Sequence, residues 1–139
     1  MQIDTSSEFG ARVQRRLAEE KVIWLITTDQ DGTPQPSPVW FWWTGQTLLI
    51  YSQPGKPKLR NIQRSPRVAL HFDTNGQGED IVVLTGEARV AKEIPPADQV
   101  PDYVQKYTED IPEIGHSPES LASEYSVPIE VTPTGLRGF

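Results

Sequence analysis

The sequence predicts an α+β fold, a small antiparallel β-barrel of six strands with helices at its periphery. The chain has 139 residues, the size of one domain with one core. Runs of β-branched and aromatic residues recur along it, and most neighbouring runs are separated by short segments rich in Asn, Asp, Gly or Pro. Strands joined through short turns pair in antiparallel order, and barrel closure protects their edges. We therefore expect residues 1–139 to form a single domain.

The first element is an amphipathic helix over about residues 6–20, and the barrel occupies about residues 21–139. Phe9, Val13 and Leu17 recur at helical spacing and form an apolar stripe, and Ser6 or Ser7 can cap the helix. The six predicted strands cover about residues 22–28, 33–43, 48–52, 68–72, 81–90 and 127–139.

Prolines mark the strands that we expect at sheet edges. Pro34, Pro36 and Pro38 alternate along the second strand, so that their three missing N–H donors lie on one side of it. Pro128 and Pro133 indicate an edge position for the last strand in the same way.

Three more helices are predicted between the strands. The first begins at Pro57, which suits the first helical position, and runs to about Arg64. The second follows a pair of prolines, and its apolar residues recur at positions 100, 103, 104 and 107. The third runs from Ser117 to about Tyr125.

Charge and composition exclude several classes of function. The net charge of −6 argues against general nucleic-acid binding, which needs a basic face. With no cysteine, and with two histidines that lack neighbours at ligand spacing, we expect no metal site. There is no P-loop and no nucleophile elbow, so a cofactor would have to supply any difficult chemistry. No apolar run reaches the ~20 residues of a membrane span, and we expect a cytoplasmic protein without membrane contact.

A cationic window interrupts this acidic chain. No acidic residue occurs from Gly32 to Phe72, and five cations lie close together there: Lys56, Lys58, Arg60, Arg64 and Arg67. A strand ends at Ser52, a Pro/Gly loop follows, and the Pro57 helix begins among these cations, an arrangement that suits a phosphate. The alternative is a solvated helix face.

A tryptophan-rich segment precedes this window. Residues 39–43 are apolar on both faces of the second strand, so one face fills a core and the other needs a partner chain or a flat ligand as cover. Together with the cationic window, Trp40, Trp42 and Trp43 indicate a phosphorylated planar cofactor. The alternative is that these tryptophans belong to the core and a dimer interface.

Five segments in this order carry a resemblance to a known family. They are residues 23–28 with 31–34, 38–43, 49–52, 58–62 with 65–70, and 84–88. They resemble the pyridoxamine 5'-phosphate oxidase-like family of FMN-binding split barrels. The chain is particularly similar to its short branch, which uses the deazaflavin coenzyme F-420 in place of FMN, and residues 125–129 and 136–139 share this likeness.

The resemblance implies a six-stranded antiparallel split β-barrel and a homodimeric oxidoreductase that transfers a hydride to or from a small organic substrate. The cofactor, FMN or F-420, would lie between the subunits, where the partner would also cover the second face of the tryptophan strand. Trp24, His71 or Arg137 would lie beside the cofactor of the other subunit. The residues implied to bind the cofactor are Thr27, Pro38, Val39, Trp40, Tyr51, Ser52, Lys56, Lys58 and Arg60.

The sequence departs from the family in one respect. The longer C-terminal part of the family, in which Arg and His bind the substrate phosphate, is missing here, so we do not expect oxidation of pyridoxamine phosphate.

The first alternative function is a flavin or haem carrier without turnover, in which His71 could face the ligand. The second is single-stranded nucleic-acid binding on the aromatic residues, which the net charge of −6 disfavours.

Overall fold

The computed structural model describes all residues from 1 to 139 and contains seven strands and five α-helices. The strands are β1 (Val22–Thr28), β2 (Pro34–Trp40), β3 (Trp42–Trp43), β4 (Leu48–Ser52), β5 (Arg67–His71), β6 (Val82–Val90) and β7 (Val127–Gly138). The helices are α1 (Glu8–Glu19), α2 (Pro57–Arg64), α3 (Pro101–Lys106), α4 (Asp110–Glu113) and α5 (Pro118–Glu124), and a 3-10 turn (Ala97–Gln99) precedes α3. No helix combines the length and the apolar character that crossing a membrane requires.

The strands form one curled antiparallel sheet in the order β2-β1-β5-β6-β7-β4-β3, which confirms the predicted α+β barrel. The predicted number of six strands is wrong, because the second one divides at Phe41 into β2 and β3. These two strands form the opposite edges of the sheet, so Phe41 connects its edges through the chain itself. The Phe41 N–H donates to the Tyr107 hydroxyl (2.8 Å), and the Phe41 carbonyl accepts from Lys106 Nζ (2.8 Å). These side chains replace the strand partners that Phe41 lacks.

The proline pattern predicted one edge strand correctly and one wrongly. β2, with three prolines, is an edge strand as predicted. β7 lies between β6 and β4, so the edge predicted from Pro128 and Pro133 is wrong. Pro128 precedes the ladder with β6, which begins at Ile129, and Pro133 lies beyond the ladder with β4, which ends at Val131. Each proline therefore occupies a position where one side of the strand has no ladder partner.

Two apolar layers share strand β4. Leu48 and Ile50 point into the barrel core, whereas Leu49 and Tyr51 belong to a second cluster formed with the C-terminal helices. We call α3, α4 and α5, together with the 3-10 turn, the helical layer. All five residues of β4 are buried, because the strand lies between the barrel core and this layer.

The helical layer packs against one face of the tryptophan-rich segment. Trp40 and Trp42 pack against the second apolar cluster, while Phe41 and Trp43 face the barrel core. The same chain therefore covers part of the face for which we expected a partner subunit or a flat ligand, and Trp40 and Trp42 stay partly exposed. Sequence periodicity predicts that a helix has an apolar face, but it does not say which sheet face the helix covers.

Candidate functional site

A cavity of about 280 Å³ opens between β2, β4 and the helical layer. Its walls are mainly aromatic and aliphatic, and two lysines stand at one end, so we call it the aromatic cavity. Seven of its lining residues were predicted from the sequence: Pro38, Val39, Trp40, Tyr51, Ser52, Lys56 and Lys58. The others are Gln53, Tyr103, Ile114, Leu121 and Tyr125.

A second concavity, which we call the polar groove, adjoins the first. It contains the remaining two predicted residues, Thr27 and Arg60, and has no hydrophobic lining. Lys56 and Lys58 line both cavities, so they stand at the junction between an apolar slot and a polar surface. The fold thus places the nine predicted residues around two connected spaces.

The junction is built by the turn from β4 into α2. Gly55 has a φ of +77°, a conformation that side chains other than glycine rarely adopt. Lys56 then caps α2 without a side-chain hydrogen bond, and Pro57 takes the first helical position. The turn therefore points the first residues of α2 and their lysines toward both cavities.

The cations at the junction have no anionic partner in the chain. Every ion pair involves other cations, namely Arg12, Arg16, Lys21, Arg89 and His116. Lys58 is half-buried, and its burial, followed by the nearby charge of Lys56, lowers its pKa below the ordinary lysine value. An unpaired, partly desolvated ammonium next to a second one is an unfavourable arrangement that a bound anion would relieve.

Hydrogen bonds hold the polar side of the site in place. The Thr27 hydroxyl is buried and accepts from Asn61 Nδ2 (3.0 Å), which connects β1 to α2. Arg64 donates to the Asn61 side-chain oxygen (3.2 Å) and to the Thr28 carbonyl (2.8 Å). The Ser52 hydroxyl donates to the Gln53 carbonyl (2.8 Å). Asn61 was not predicted as a site residue, although it lies in the segment 58–62 that carries the family resemblance.

The aromatic walls are equally constrained. The Tyr51 hydroxyl donates to the Pro95 carbonyl (2.6 Å), and burial, followed by the charge of Asp98, raises the pKa of Tyr51 to about 12. The Trp40 indole stacks on the Tyr107 ring with centroids 4.3 Å apart. These contacts give the cavity two fixed planar walls of the kind that suit a flat ring.

Sequence reasoning missed the side of the cavity that the helical layer provides. Tyr103, Leu121 and Tyr125 lie on the predicted helices or at their ends, but the pattern indicated only that Tyr103 belongs to an apolar stripe. Ile114 follows α4, a helix that was not predicted. In the sequence, only the hydroxyl groups of tyrosines on an otherwise apolar stripe could have indicated that this side belongs to the site.

Three residues considered for the site lie elsewhere. Trp24 and His71 stand on the outer face of the sheet, with ring centroids 6.2 Å apart, and His71 Nδ1 lies 3.0 Å from the Phe72 carbonyl. Arg137 is exposed on β7. None of them lines the aromatic cavity or the polar groove of its own chain.

Solved structures share this fold. An F420 reductase is 24% identical, with 89% of this chain and 94% of that chain covered and a TM-score of 0.66. The haem-storage protein HutZ from Vibrio cholerae is 14% identical, with 99% and 95% covered and a TM-score of 0.64. A conserved hypothetical protein from Mycobacterium tuberculosis is 17% identical, with 94% and 82% covered and a TM-score of 0.70. Likenesses at this level of identity establish the fold.

Sequence comparison establishes the family. No curated protein matches this chain by sequence. A family model described as pyridoxamine 5'-phosphate oxidase matches residues 9–138, which is nearly the whole chain and includes every strand and the residues around both cavities. The chain therefore belongs to the pyridoxamine 5'-phosphate oxidase family.

Proposed function

We propose that the chain is an oxidoreductase that binds FMN or coenzyme F-420 and transfers a hydride to or from a small organic substrate. One observation carries the proposal: Lys58, half-buried and without an anionic partner, stands with Lys56 where the aromatic cavity meets the polar groove. A phosphorylated planar molecule has the anionic end and the flat ring that these two spaces accept.

The lysines and the start of α2 would hold the phosphate. Lys56 and Lys58 can donate charge-assisted hydrogen bonds, and Arg60 adds positive charge in the polar groove. An anion at this point also offsets the desolvation and mutual repulsion that lower the pKa of Lys58. The residues present therefore fit a phosphate group.

The ring would lie in the aromatic cavity, between walls provided by Trp40 and Tyr51. Such a cofactor, when bound, supplies the hydride chemistry. The chain would position the ring and the substrate and exclude water from the slot, since no acid–base pair stands out in the cavity.

A carrier of flavin or haem without turnover is the second candidate, supported by the shared fold with HutZ. For haem, the lining of the aromatic cavity has no imidazole, thiol or thioether, so its tyrosines are the side chains there that could serve as an axial ligand. Purified protein supplemented with haem and showing a Soret band that His71→Ala removes would favour the haem carrier over the oxidoreductase.

We also propose a homodimer, with the partner on the outer face of the sheet. Because the helical layer already covers Trp40 and Trp42, the apolar side chains left open on the outer face are those of β1 and β6, where Trp24, Ile26 and Val83 are only half-buried. Sedimentation equilibrium of the wild type and of Ile26→Glu tests this interface. A dimer that persists in the variant would place the interface elsewhere.

Fluorescence titration tests the cofactor. FMN and F-420 are added separately to the purified protein, and quenching of its four tryptophans reports binding. We expect micromolar binding of one cofactor, and the one that binds more tightly identifies the branch. If neither cofactor binds, residues 56–60 are a solvated helix end, and the proposed activity is wrong.

A further inference from the structure

A series of hydrogen bonds connects a histidine to the wall of the aromatic cavity. Gln53, in the turn after β4, lines the cavity, and its Nε2 donates to Glu124 Oε1 (2.7 Å) on α5. The other oxygen of this carboxylate, Oε2, lies 2.7 Å from His116 Nε2. Leu121 and Tyr125, which also line the cavity, lie on α5 and directly after it. One carboxylate therefore joins the imidazole to two sides of the cavity.

The backbone is fixed on both sides of His116. Its N–H donates to the Ile111 carbonyl (3.1 Å) and closes the end of α4, directly after Gly115 with a φ of +83°. The next residue, Ser117, caps α5 and forms a capping box with Ser120. Only 18% of the His116 side chain is exposed, so the imidazole is held against α5 in the ligand-free chain.

The contacts of His116 accommodate both charge states of its ring. Its Nδ1 lies 2.8 Å from Ser120 Oγ, and the Ser120 hydroxyl can also donate to the Ser117 carbonyl (3.2 Å). In the neutral ring, this hydroxyl donates to Nδ1, and Nε2–H donates to Glu124. In the charged ring, Nδ1–H donates to the hydroxyl, which turns to the Ser117 carbonyl. Protonation therefore requires only the rotation of one hydroxyl group, and it converts the bond to Glu124 into an ion pair.

Few other ionisable groups face this imidazole. Glu124 is the carboxylate bonded to it, and the Tyr125 ring stands edge-on to it with centroids 6.2 Å apart. Glu113 of α4 and Glu119 of α5 are exposed and form no ion pair. Lys56, in the turn after β4, forms none with Glu124. The charge of the imidazole therefore acts first on the Glu124 carboxylate.

We propose that His116 is a positioning residue of the aromatic cavity, which fixes Gln53 through Glu124 and retains the bound ligand longer when its imidazole is charged. A charged imidazole forms a shorter and stronger bond to the carboxylate, and the carboxylate then holds the Gln53 amide in one orientation. This inference rests on the proposed function, because the ligand that is retained is FMN or F-420.

The first test follows the side-chain amide of Gln53 by two-dimensional proton–nitrogen NMR in the ligand-free protein. The pH is varied from about 5 to about 8, the range in which histidine ordinarily changes its charge. We expect the Gln53 amide signals to titrate together with the His116 ring in the wild type and to stay constant in His116→Gln and in Glu124→Gln. Glu119→Gln is the matched control, since it removes a carboxylate of the same helix that is not bonded to the imidazole, and it should titrate like the wild type. Gln53 signals that do not titrate in the wild type, or that titrate equally in His116→Gln, would overturn the proposal.

The second test measures the dissociation rate of FMN or F-420 by stopped-flow fluorescence at about pH 5.5 and about pH 7.5. Because the FMN phosphate also titrates in this range, the wild type is compared with His116→Gln at each pH. We expect the wild type to release the cofactor about fivefold more slowly than His116→Gln at the lower pH and at a similar rate at the higher pH. His116→Arg should release it slowly at both, because a guanidinium group keeps its charge.

The two histidines of the chain are separated by a further variant, His71→Gln, which should keep the pH dependence of the wild type. The proposal is overturned if this variant loses the pH dependence, or if the ratio of the wild-type rate to the His116→Gln rate is the same at both pH values. If neither FMN nor F-420 binds, the proposed function fails, and the NMR titration of the ligand-free chain still decides whether His116 positions Gln53.

Discussion

The Trp40 indole and the Tyr107 ring are stacked with their centroids 4.3 Å apart and their planes only 3° from parallel. The same Tyr107 side chain accepts a hydrogen bond from the Phe41 N–H and donates to the Lys21 carbonyl (2.7 Å). One residue of the helical layer therefore supports a wall of the aromatic cavity and also completes the barrel where β2 passes into β3. This relationship makes the stability of the barrel and the shape of the cavity depend on each other.

Tyr107→Phe is expected to lower the free energy of unfolding by about 1–3 kcal/mol, because it leaves the buried Phe41 N–H without its acceptor. Urea denaturation monitored by circular dichroism measures the loss. Tyr103→Phe serves as the control and should cost much less, since its hydroxyl has no partner in the chain. Equal losses in the two variants would mean that the hydrogen bond from the Phe41 N–H to the Tyr107 hydroxyl does not stabilise the chain where β2 passes into β3.

Lys58→Ala is expected to weaken cofactor binding by about 10- to 100-fold, the effect of losing one charge-assisted hydrogen bond. The fold should be unaffected, because Lys58 forms no ion pair in the chain. Tryptophan quenching measures the affinity, and Lys92→Ala, which removes an exposed lysine that lines neither cavity, is the control. Unchanged affinity in Lys58→Ala would contradict the proposal that Lys58 binds the cofactor phosphate.

Cofactor affinity should fall at alkaline pH, before the ordinary lysine pKa of 10.5 is reached. Burial and Lys56 lower the pKa of Lys58 in the free protein, whereas a bound phosphate stabilises its ammonium form and raises this pKa. Binding therefore favours the protonated lysine, and affinity is lost as the pH passes through the pKa of the free protein. Titrations from neutral pH up to the ordinary lysine pKa of 10.5 measure the effect, and we expect affinity to fall by at most tenfold per pH unit. The same series in Lys58→Ala should be flatter, and parallel profiles would assign the effect to another group.

The Lys106 ammonium predicts a pH dependence of stability with a defined sign. Burial, followed by the charge of Lys21, lowers the pKa of Lys106 from 10.5 to about 8 in the folded protein. The unfolded chain binds more protons between these values, so the contribution of Lys106 to stability rises with pH from about 8 to 10.5. After allowance for solvent screening we expect about 1–2 kcal/mol. Urea denaturation across this range should show the rise in the wild type and a smaller one in Lys106→Met.

Gly86→Ala is expected to destabilise the barrel by about 2 kcal/mol or more, because the new Cβ would lie 2.5 Å from the Thr132 carbonyl oxygen. Gly86 stands at the irregularity in the β6–β7 ladder, where the backbones approach closely. Gly135→Ala is the comparison: its Cβ would meet Thr85 Oγ1 at 2.7 Å, and this side chain can rotate away. Thermal unfolding of both variants should rank Gly86→Ala as the less stable, and the reverse order would contradict the backbone clash.

Local patterns in the sequence predicted much of the barrel. Alternating Pro34, Pro36 and Pro38 correctly indicated an edge strand, because the missing donors act within the strand itself. The same reasoning failed for Pro128 and Pro133, whose tolerance depends on where the neighbouring ladders begin and end. The division at Phe41 was also missed, since its partners Lys106 and Tyr107 are distant in the chain.

The sequence by itself determined the family, the order of the strands along the chain, and the side of the site formed by β2, β4 and the start of α2. Those features depend on residues that are close in sequence, such as Ser52 and Lys58. The tertiary structure alone decided that the helical layer covers Trp40 and Trp42 and that the cavity is closed by Tyr103 and Tyr125. The physical reason is that an apolar helix face gains the same burial energy on many surfaces, and only the packing of the whole chain selects one.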